Sequence, residues 1–178
     1  LSTDQLLDER LLRARRWARV AGGSAMERFG DVETSWKSED AGLVTETDRS
    51  IEKYLRRKIQ EHYPEDTVVG EEFPTHEPEA SAFTWYLDPI DGTAAYGMNL
   101  PIWTVCLGVA RDVRPDAGVL LAPALEDEYY GIRGTTPRKN GELIDDRPAP
   151  PEQWDSESLL CVTSNAHRRF DIDFVGKC

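Results

Sequence analysis

Leu7, Leu11, Ala14, Ala18, Ala21 and Ala25 recur at alternating steps of four and three. That spacing predicts one apolar face of a long amphipathic helix. Arg10, Arg13, Arg16 and Arg19 fall off that face and read as a solvated surface. Ser2 or Thr3 is placed to cap the helix, Gly22-Gly23 to interrupt it and Gly30 to end it. The next stretch, SWKSEDAGLVTETD (Ser35 to Asp48), is polar and turn-like, with Leu43-Val44 as a short apolar anchor. A second helix is expected from about Asp48 to His62, with Ile51, Leu55 and Ile59 as its buried stripe and Pro64 just past its end. Glu52 and Arg56 form a supporting pair at four-residue spacing on it.

From Thr67 the pattern turns to strands. TVVGEE (Thr67 to Glu72) is a short strand meeting two acids, and FTWYLD (Phe83 to Asp88) is another. IWTVCLGVA, GVLLAP and DEYYGI follow as successive strands, with Pro115-Asp116 and Pro123 as breaks. Asn140-Gly141 signals a hairpin. The Pro-rich polar run at 146–156 reads as a linker, and ESLLCVTS (Glu157 to Ser164) opens a fresh strand with a polar turn and a helix start behind it. A βα unit of that kind needs parallel neighbours to bury it. The expected organisation is therefore an α+β region over 1–145, the linker, and at 157–178 the first piece of a second α/β half whose remainder is missing after Cys178.

Composition narrows the function classes. The 178 residues are 39% hydrophobic, enough for a real core. The longest run free of charge, Leu100 to Ala110, is far too short to span a bilayer, and the first residues carry a charged helical pattern rather than the apolar core of a signal peptide. A formal net charge of −12 argues against nucleic acid polymers and anionic membranes. It leaves room for a small phosphorylated ligand, because a bound divalent cation inverts the local field. The three cysteines, Cys106, Cys161 and Cys178, lack disulfide or zinc spacing and fit a reducing cytoplasm. Cys106 and Cys161 sit in apolar strand-like runs and read as small core residues.

The candidate chemistry lies in WYLDPIDGT, Trp85 to Thr93. Asp88 and Asp91 stand at and just beyond the end of an apolar strand. Pro89 keeps Asp88 out of helical conformation, and the expected rigid turn points both carboxylates one way with the Ile90 carbonyl between them. Gly92 permits a sharp turn and close backbone approach, and Thr93 adds a hydroxyl and an N–H suited to phosphate oxygens. Glu71-Glu72 end another strand and Asp48 starts a helix. Each acid has an ordinary reading: Asp48 as a helix cap, Glu71-Glu72 as a solvated loop, Asp88 and Asp91 as a surface turn. Lys37, His62, His76 and His167 read as surface residues, and none of the histidines is spaced for a metal. If the acids converge, an all-oxygen set suits a hard cation such as Mg²⁺. The matching chemistry is metal-assisted hydrolysis of a phosphate ester, with Glu71 and Thr93 orienting the water.

DPIDGT at Asp88 to Thr93, GEE at Gly70 to Glu72 and LVTETD at Leu43 to Asp48, with Lys37 just upstream, together resemble the inositol monophosphatase family of the lithium-sensitive, Mg²⁺-dependent phosphatase superfamily. Order and spacing agree over about residues 10 to 145. The resemblance implies a layered α-β-α-β-α sandwich of the sugar-phosphatase type that hydrolyses a small phosphate monoester. The candidates are inositol monophosphate-like compounds, histidinol phosphate, sugar phosphates and nucleotide 3′-phosphates. It implies Glu71, Asp88, the Ile90 carbonyl and Asp91 as metal ligands, and Asp48 for a further, weaker metal site or the water. Asp91, Gly92, Thr93 and Lys37 are implied on the phosphate or substrate side. Two or three Mg²⁺ per site, with Mn²⁺ as a substitute, and a cytoplasmic homodimer are implied as well.

Two departures stand out. The family usually follows DGT with Asn-Phe, where this chain has Ala94-Ala95-Tyr96, a substrate-side variation. The family's second half carries a WDxAAG-like motif, and QWDSES at Gln153 to Ser158 lacks its small residues. A non-catalytic protein that binds metal or phosphate through a retained half-site is the alternative function.

Overall fold

A computed structural model describes residues 2–31, 34–38, 42–111 and 114–144, which fall within one unit, Leu1–Asp145. The linker and the second-half strand lie outside the described residues, as do Cys161, Cys178, His167 and Trp154-Asp155.

Helix α1 (Thr3–Met26) buries the apolar repeat, with Leu7, Ala14, Ala18, Ala21 and Ala25 all inside. Ser2 is its cap: Ser2 Oγ accepts the Gln5 N–H at 3.2 Å, and Gln5 Oε1 accepts the Ser2 N–H at 2.8 Å. The helix runs through Gly22-Gly23 without interruption. Gly22 is a contact point, because a Cβ there would lie 2.7 Å from Leu121 Cδ2 and 2.8 Å from Pro123 Cγ. The missing side chain lets the helix lie close on the sheet.

The arginines of α1 are not all solvated. Arg10 is buried, donating to both oxygens of Asp66 at 2.9 and 3.0 Å and stacking over the rings of Tyr63 and Phe83. Its charge is offset by a carboxylate 56 positions away, which local periodicity cannot reveal.

The polar stretch before the second helix is a hairpin rather than a turn. Strand β1 (Thr34–Ser38) pairs antiparallel with β2 (Gly42–Thr45). Backbone pairing does not require apolar alternation, so its polarity concealed it. Helix α2 (Glu46–His62) begins two residues earlier than its apolar stripe suggests, because Thr45 caps it. Ile51, Leu55 and Ile59 are buried as expected.

The main sheet has seven strands: β3 (Thr67–Gly70), β4 (Thr84–Asp91), β5 (Thr104–Arg111), β6 (Arg114–Ala122), β7 (Asp127–Ile132), β8 (Arg138–Lys139) and β9 (Glu142–Leu143), adjacent in that order. Only β3 and β4 run parallel. Asn140 and Gly141, at φ 50° and 94°, make the expected two-residue turn between β8 and β9. Pro123 starts a short 3-10 turn, as a break should. Pro115 does not break its strand: it lies inside β6 opposite Ala110, where the ladder shifts register, a place where a missing N–H is tolerated.

Alternation along β4, β5 and β6 puts Trp85, Leu87, Val105, Leu107, Val109, Val119 and Leu121 on one face, and α1 and α2 cover it. Trp85 is fully buried, its ring 5.7 Å from those of both Trp17 and Tyr63. The other face leaves Tyr86 and Leu120 exposed. The described residues thus form an α+β fold with a helical layer on a mixed sheet. Among them no helix is long and apolar enough to cross a membrane.

Glu128 on β7 ties α1 to the sheet. Its buried carboxylate accepts hydrogen bonds from Arg15 at 3.1 and 2.7 Å and from Arg19 at 3.0 and 2.8 Å. Burial pushes the carboxyl up, but the two guanidinium groups outweigh it and hold the group below its ordinary value. A depressed folded-state pKa contributes stability that is full above the unfolded value and lost as pH falls through the folded one. Calorimetric melting from pH 7 to pH 3 should therefore show Glu128→Gln melting below wild type at pH 7, with the gap closing toward pH 3. Parallel melting curves would refute the assignment.

Candidate active site

The end of β4 brings the acids to one edge. Asp88 pairs with Cys106 on β5, and Asp91 with Thr104, so three steps on β4 oppose two on β5. This is a bulge, with Pro89 inside it supplying no N–H to the ladder. The expected turn at Asp88-Pro89 is thus a bulged strand that continues to Asp91. The sharp turn comes at Gly92, whose φ is 95°. A Cβ at Gly92 would lie 3.1 Å from the Ile102 carbonyl oxygen, so both backbone shape and space call for glycine.

Thr93 opens the short helix α3 (Thr93–Gly97). The Tyr96 hydroxyl, fully buried, donates to the Ala25 carbonyl at 2.7 Å and ties α3 to the end of α1. Burial raises the Tyr96 pKa, which keeps that donor protonated. Thr93 Oγ1 lies 3.0 Å from the Ile90 carbonyl and 3.4 Å from Asp48 Oδ1.

Asp48 is both a cap and a site residue in this arrangement. It is the third residue of α2, where its Oδ2 accepts the Thr45 N–H at 2.8 Å and the Thr45 hydroxyl, while its own N–H donates to Thr45 Oγ1 at 3.2 Å. Its other oxygen faces Thr93. The group is almost fully buried, 1% exposed, so the cap residue is aimed inward and not at solvent.

Glu71 follows β3 directly and is exposed. Glu71, Asp88 and Cys106 line one open depression of about 340 Å³, with Val69, Gly70, Tyr86, Leu87 and Gly108. A larger cavity of about 490 Å³ lies beside Arg15 and Glu128, among none of the candidate acids. Asp91 is exposed at the rung beyond, with the Thr104 hydroxyl 3.4 Å from its Oδ2.

Cys106 is not the core residue that its apolar run suggested. The buried positions of β5 are its neighbours Val105 and Leu107, which puts the Cys106 side chain on the sheet's other face, opposite Asp88. Burial first, and then the nearby Asp91 and Asp88 charges, push its thiol up to about 11. A protonated thiol is a poor ligand and a poor nucleophile.

The structure thus brings together Glu71 with Asp88, and Asp48 with Thr93 and Ile90. Lys37 lies on β1 by backbone, and its side chain is outside the described residues. Of the histidines, His62 sits on α2 with Nδ1 2.9 Å from the Lys58 carbonyl, and His76 bridges Val68 by backbone.

The donor set fits a hard cation. It consists of carboxylates and a carbonyl, with the one nearby thiol protonated. Among the described residues no group of three or more His, Cys, Asp or Glu side chains is gathered closely enough to hold a metal ion by itself. Mg²⁺ typically needs only one or two carboxylates and keeps several waters, so an open arrangement suits it.

The expected pair of Glu52 and Arg56 forms at 2.7 Å, but its spacing does not reveal what else the two side chains reach. Glu52 and Arg56 of α2 do not lie on the helix surface but reach into the loop after β3. Their four-residue spacing was visible, but the close approach at Gly70, where a Cβ would fall 2.0 Å from Glu52 Oε1, shows only in the fold.

The chain is 30% identical over 139 residues to a fructose-1,6-bisphosphatase/inositol-1-monophosphatase of Aquifex aeolicus, covering 76% of this chain and 52% of that protein. It is 33% identical over 129 residues to a histidinol-phosphatase of Chlorobaculum parvum, covering 71% of this chain and 49% of that protein. The solved IMPase structure from Thermotoga maritima superposes with a TM-score of 0.69 at 29% identity, covering 76% of this chain and 53% of its own. The chain therefore spans about half the length of the relatives it matches. The sequence signature of the inositol monophosphatase family matches residues 7–175. With that signature running through nearly the whole chain and the fold shared, the chain belongs to the inositol monophosphatase family.

Proposed function

We propose that the protein hydrolyses a small phosphate monoester by direct attack of water, with Mg²⁺ as cofactor. The observation that carries this reading is the Thr93 hydroxyl lying between Asp48 and the Ile90 carbonyl, at the bulged strand end that also bears Asp88 and Asp91. Glu71, Asp88, Asp91 and the Ile90 carbonyl would hold the cations, two or three per site, with Mn²⁺ able to replace Mg²⁺. When bound, such a cation lowers the pKa of water and stabilises developing charge on phosphate oxygens.

The remaining steps belong to the chain. Thr93 and Glu71 orient the attacking water, and Asp48 holds the Thr93 hydroxyl in register. The N–H groups of Gly92 and Thr93 receive the phosphate, and Lys37 adds positive charge on the substrate side. No side-chain nucleophile with a dedicated base stands out among these residues, which favours direct attack by water over a covalent route. The similarity to a histidinol-phosphatase and to a fructose-1,6-bisphosphatase/inositol-1-monophosphatase supports a monoester substrate. Lithium inhibition, homodimer assembly and a cytoplasmic setting follow from family membership as further parts of the proposal.

The test is phosphate release by the full-length natural protein from inositol phosphate, histidinol phosphate, sugar bisphosphates and 3′-phosphoadenosine compounds, with and without Mg²⁺. Release from at least one, dependent on Mg²⁺, is expected. Mg²⁺ binding without release from any would favour a non-catalytic binding protein instead.

A further inference from the structure

Glu52 lies one helical turn beyond Asp48 on α2 and is fully buried. Its carboxylate accepts the Glu72 N–H at 2.7 Å, the Phe73 N–H at 3.2 Å and the Arg56 Nε–H at 2.7 Å. Arg56 in turn donates to the carbonyls of Phe73, at 2.9 Å, and Val68, at 3.4 Å. Together the two side chains satisfy two N–H and two C=O groups of the segment that carries Glu71. The segment is also pinned beyond the loop, where Val68 and His76 exchange backbone hydrogen bonds of 2.8 and 2.9 Å.

Gly70 completes the clamp. A Cβ there would fall 2.0 Å from Glu52 Oε1 and 2.8 Å from Arg56 Nη2. The backbone of β3 rests directly on the buried ion pair. Glu71 therefore sits between a residue pressed against Glu52 and a residue whose N–H is bound by it, which fixes the direction of its Cα–Cβ bond.

A buried ion pair is weak grounds for stability, since desolvation of both charges offsets much of their attraction. Setting geometry is a better account of this one. Asp48 and Glu52 are four residues apart on one rigid helix, about 6 Å along its axis. Asp48 faces the Thr93 hydroxyl and Glu52 grips the Glu71 loop. One helix thus sets the spacing between two otherwise separate parts of the site.

We propose that Glu52 is a positioning residue for Glu71, and that through this clamp it sets the affinity of the site for its divalent cation. This rests on the metal-dependent reading above. A carboxylate that orients a ligand-bearing loop is worth about 10–100-fold in metal affinity.

The experiment titrates Mg²⁺ into the full-length natural protein by calorimetry, alongside amide hydrogen exchange at Glu72 and Phe73. Glu52→Asp keeps the charge beside Arg56 but shortens the reach to the loop, and Glu52→Gln keeps the length but removes the charge. Asp66→Asn, which breaks the buried pair with Arg10 at the opposite end of β3 from Glu71, controls for lost stability alone. The expected result is about 10–100-fold weaker Mg²⁺ binding in both Glu52 variants, faster exchange at Glu72 and Phe73, and unchanged binding in Asp66→Asn. Should Glu52→Gln fail to fold, Glu52→Asp decides. Wild-type Mg²⁺ affinity in a folded Glu52→Asp overturns the positioning role and leaves the proposed function standing. A wild type that binds no Mg²⁺ overturns both.

Discussion

Asp88→Asn should abolish Mg²⁺-dependent phosphate release by the full-length protein, lowering kcat/KM by more than the roughly 10–100-fold that loss of an outer contact costs. The substitution keeps side-chain volume, so packing around β4 barely changes. It removes the charge, and the amide NH₂ presents donors where a cation needs oxygen lone pairs. Asp88 is half-buried at the last regular rung before the bulge, opposite Cys106, so its backbone is held by the ladder whether or not the carboxylate is present. Melting temperature should therefore stay close to wild type while turnover disappears. Initial rates across an Mg²⁺ series, with a melting curve on the same sample, measure both. Turnover within threefold of wild type would remove Asp88 from the site.

The carboxylates of this site were legible for a physical reason. An apolar strand must end somewhere, and residues at its end leave the pattern abruptly. Trp85 and Leu87 alternate into the core, and the bulge after Asp88 breaks that alternation, so Asp88 and Asp91 stand off the core while Ile90 stays in it. The same logic located Glu71 after Val68-Val69. It failed where structure depends on partners and not on periodicity. The β1–β2 hairpin, TSWKS against GLVT, lacks a regular apolar alternation, and only its ladder reveals it. Cys106 reads as core because its neighbours do, yet alternation turns it toward the acids. Arg10 looks like a solvated helix charge because its partner, Asp66, is remote in the chain, and the Glu52–Arg56 pair, legible from its spacing, hides its backbone partners in the loop at 68–73.

Arg10 leads to the largest expected stability effect. Asp66 accepts three hydrogen bonds, from Arg10 Nε at 2.9 Å, Arg10 Nη2 at 3.0 Å and Trp85 Nε1 at 2.8 Å. Side-chain exposures of 8% for Arg10 and 6% for Asp66 leave water little access to either. Asp66→Asn keeps an acceptor oxygen for the two donors on Oδ2 but turns an NH₂ toward Arg10 Nη2, and it leaves a buried guanidinium without a counter-charge. Breaking a buried pair from one side costs about 3–5 kcal/mol, a large share of the roughly 5–15 kcal/mol that holds a typical domain together. Urea unfolding should show the extrapolated free energy falling by that amount, read as a lower midpoint with the slope unchanged. Replacing both partners, Arg10→Met with Asp66→Leu, should recover most of the loss, because matched apolar groups in a buried pair's place are often neutral or better. Recovery stops short of wild type, since Trp85 Nε1 then loses its acceptor in the core. A single Asp66→Asn variant within about 1 kcal/mol of wild type would show that water reaches the pair and that the frame of the fold rests on the aromatic packing of Trp17, Tyr63 and Trp85 alone.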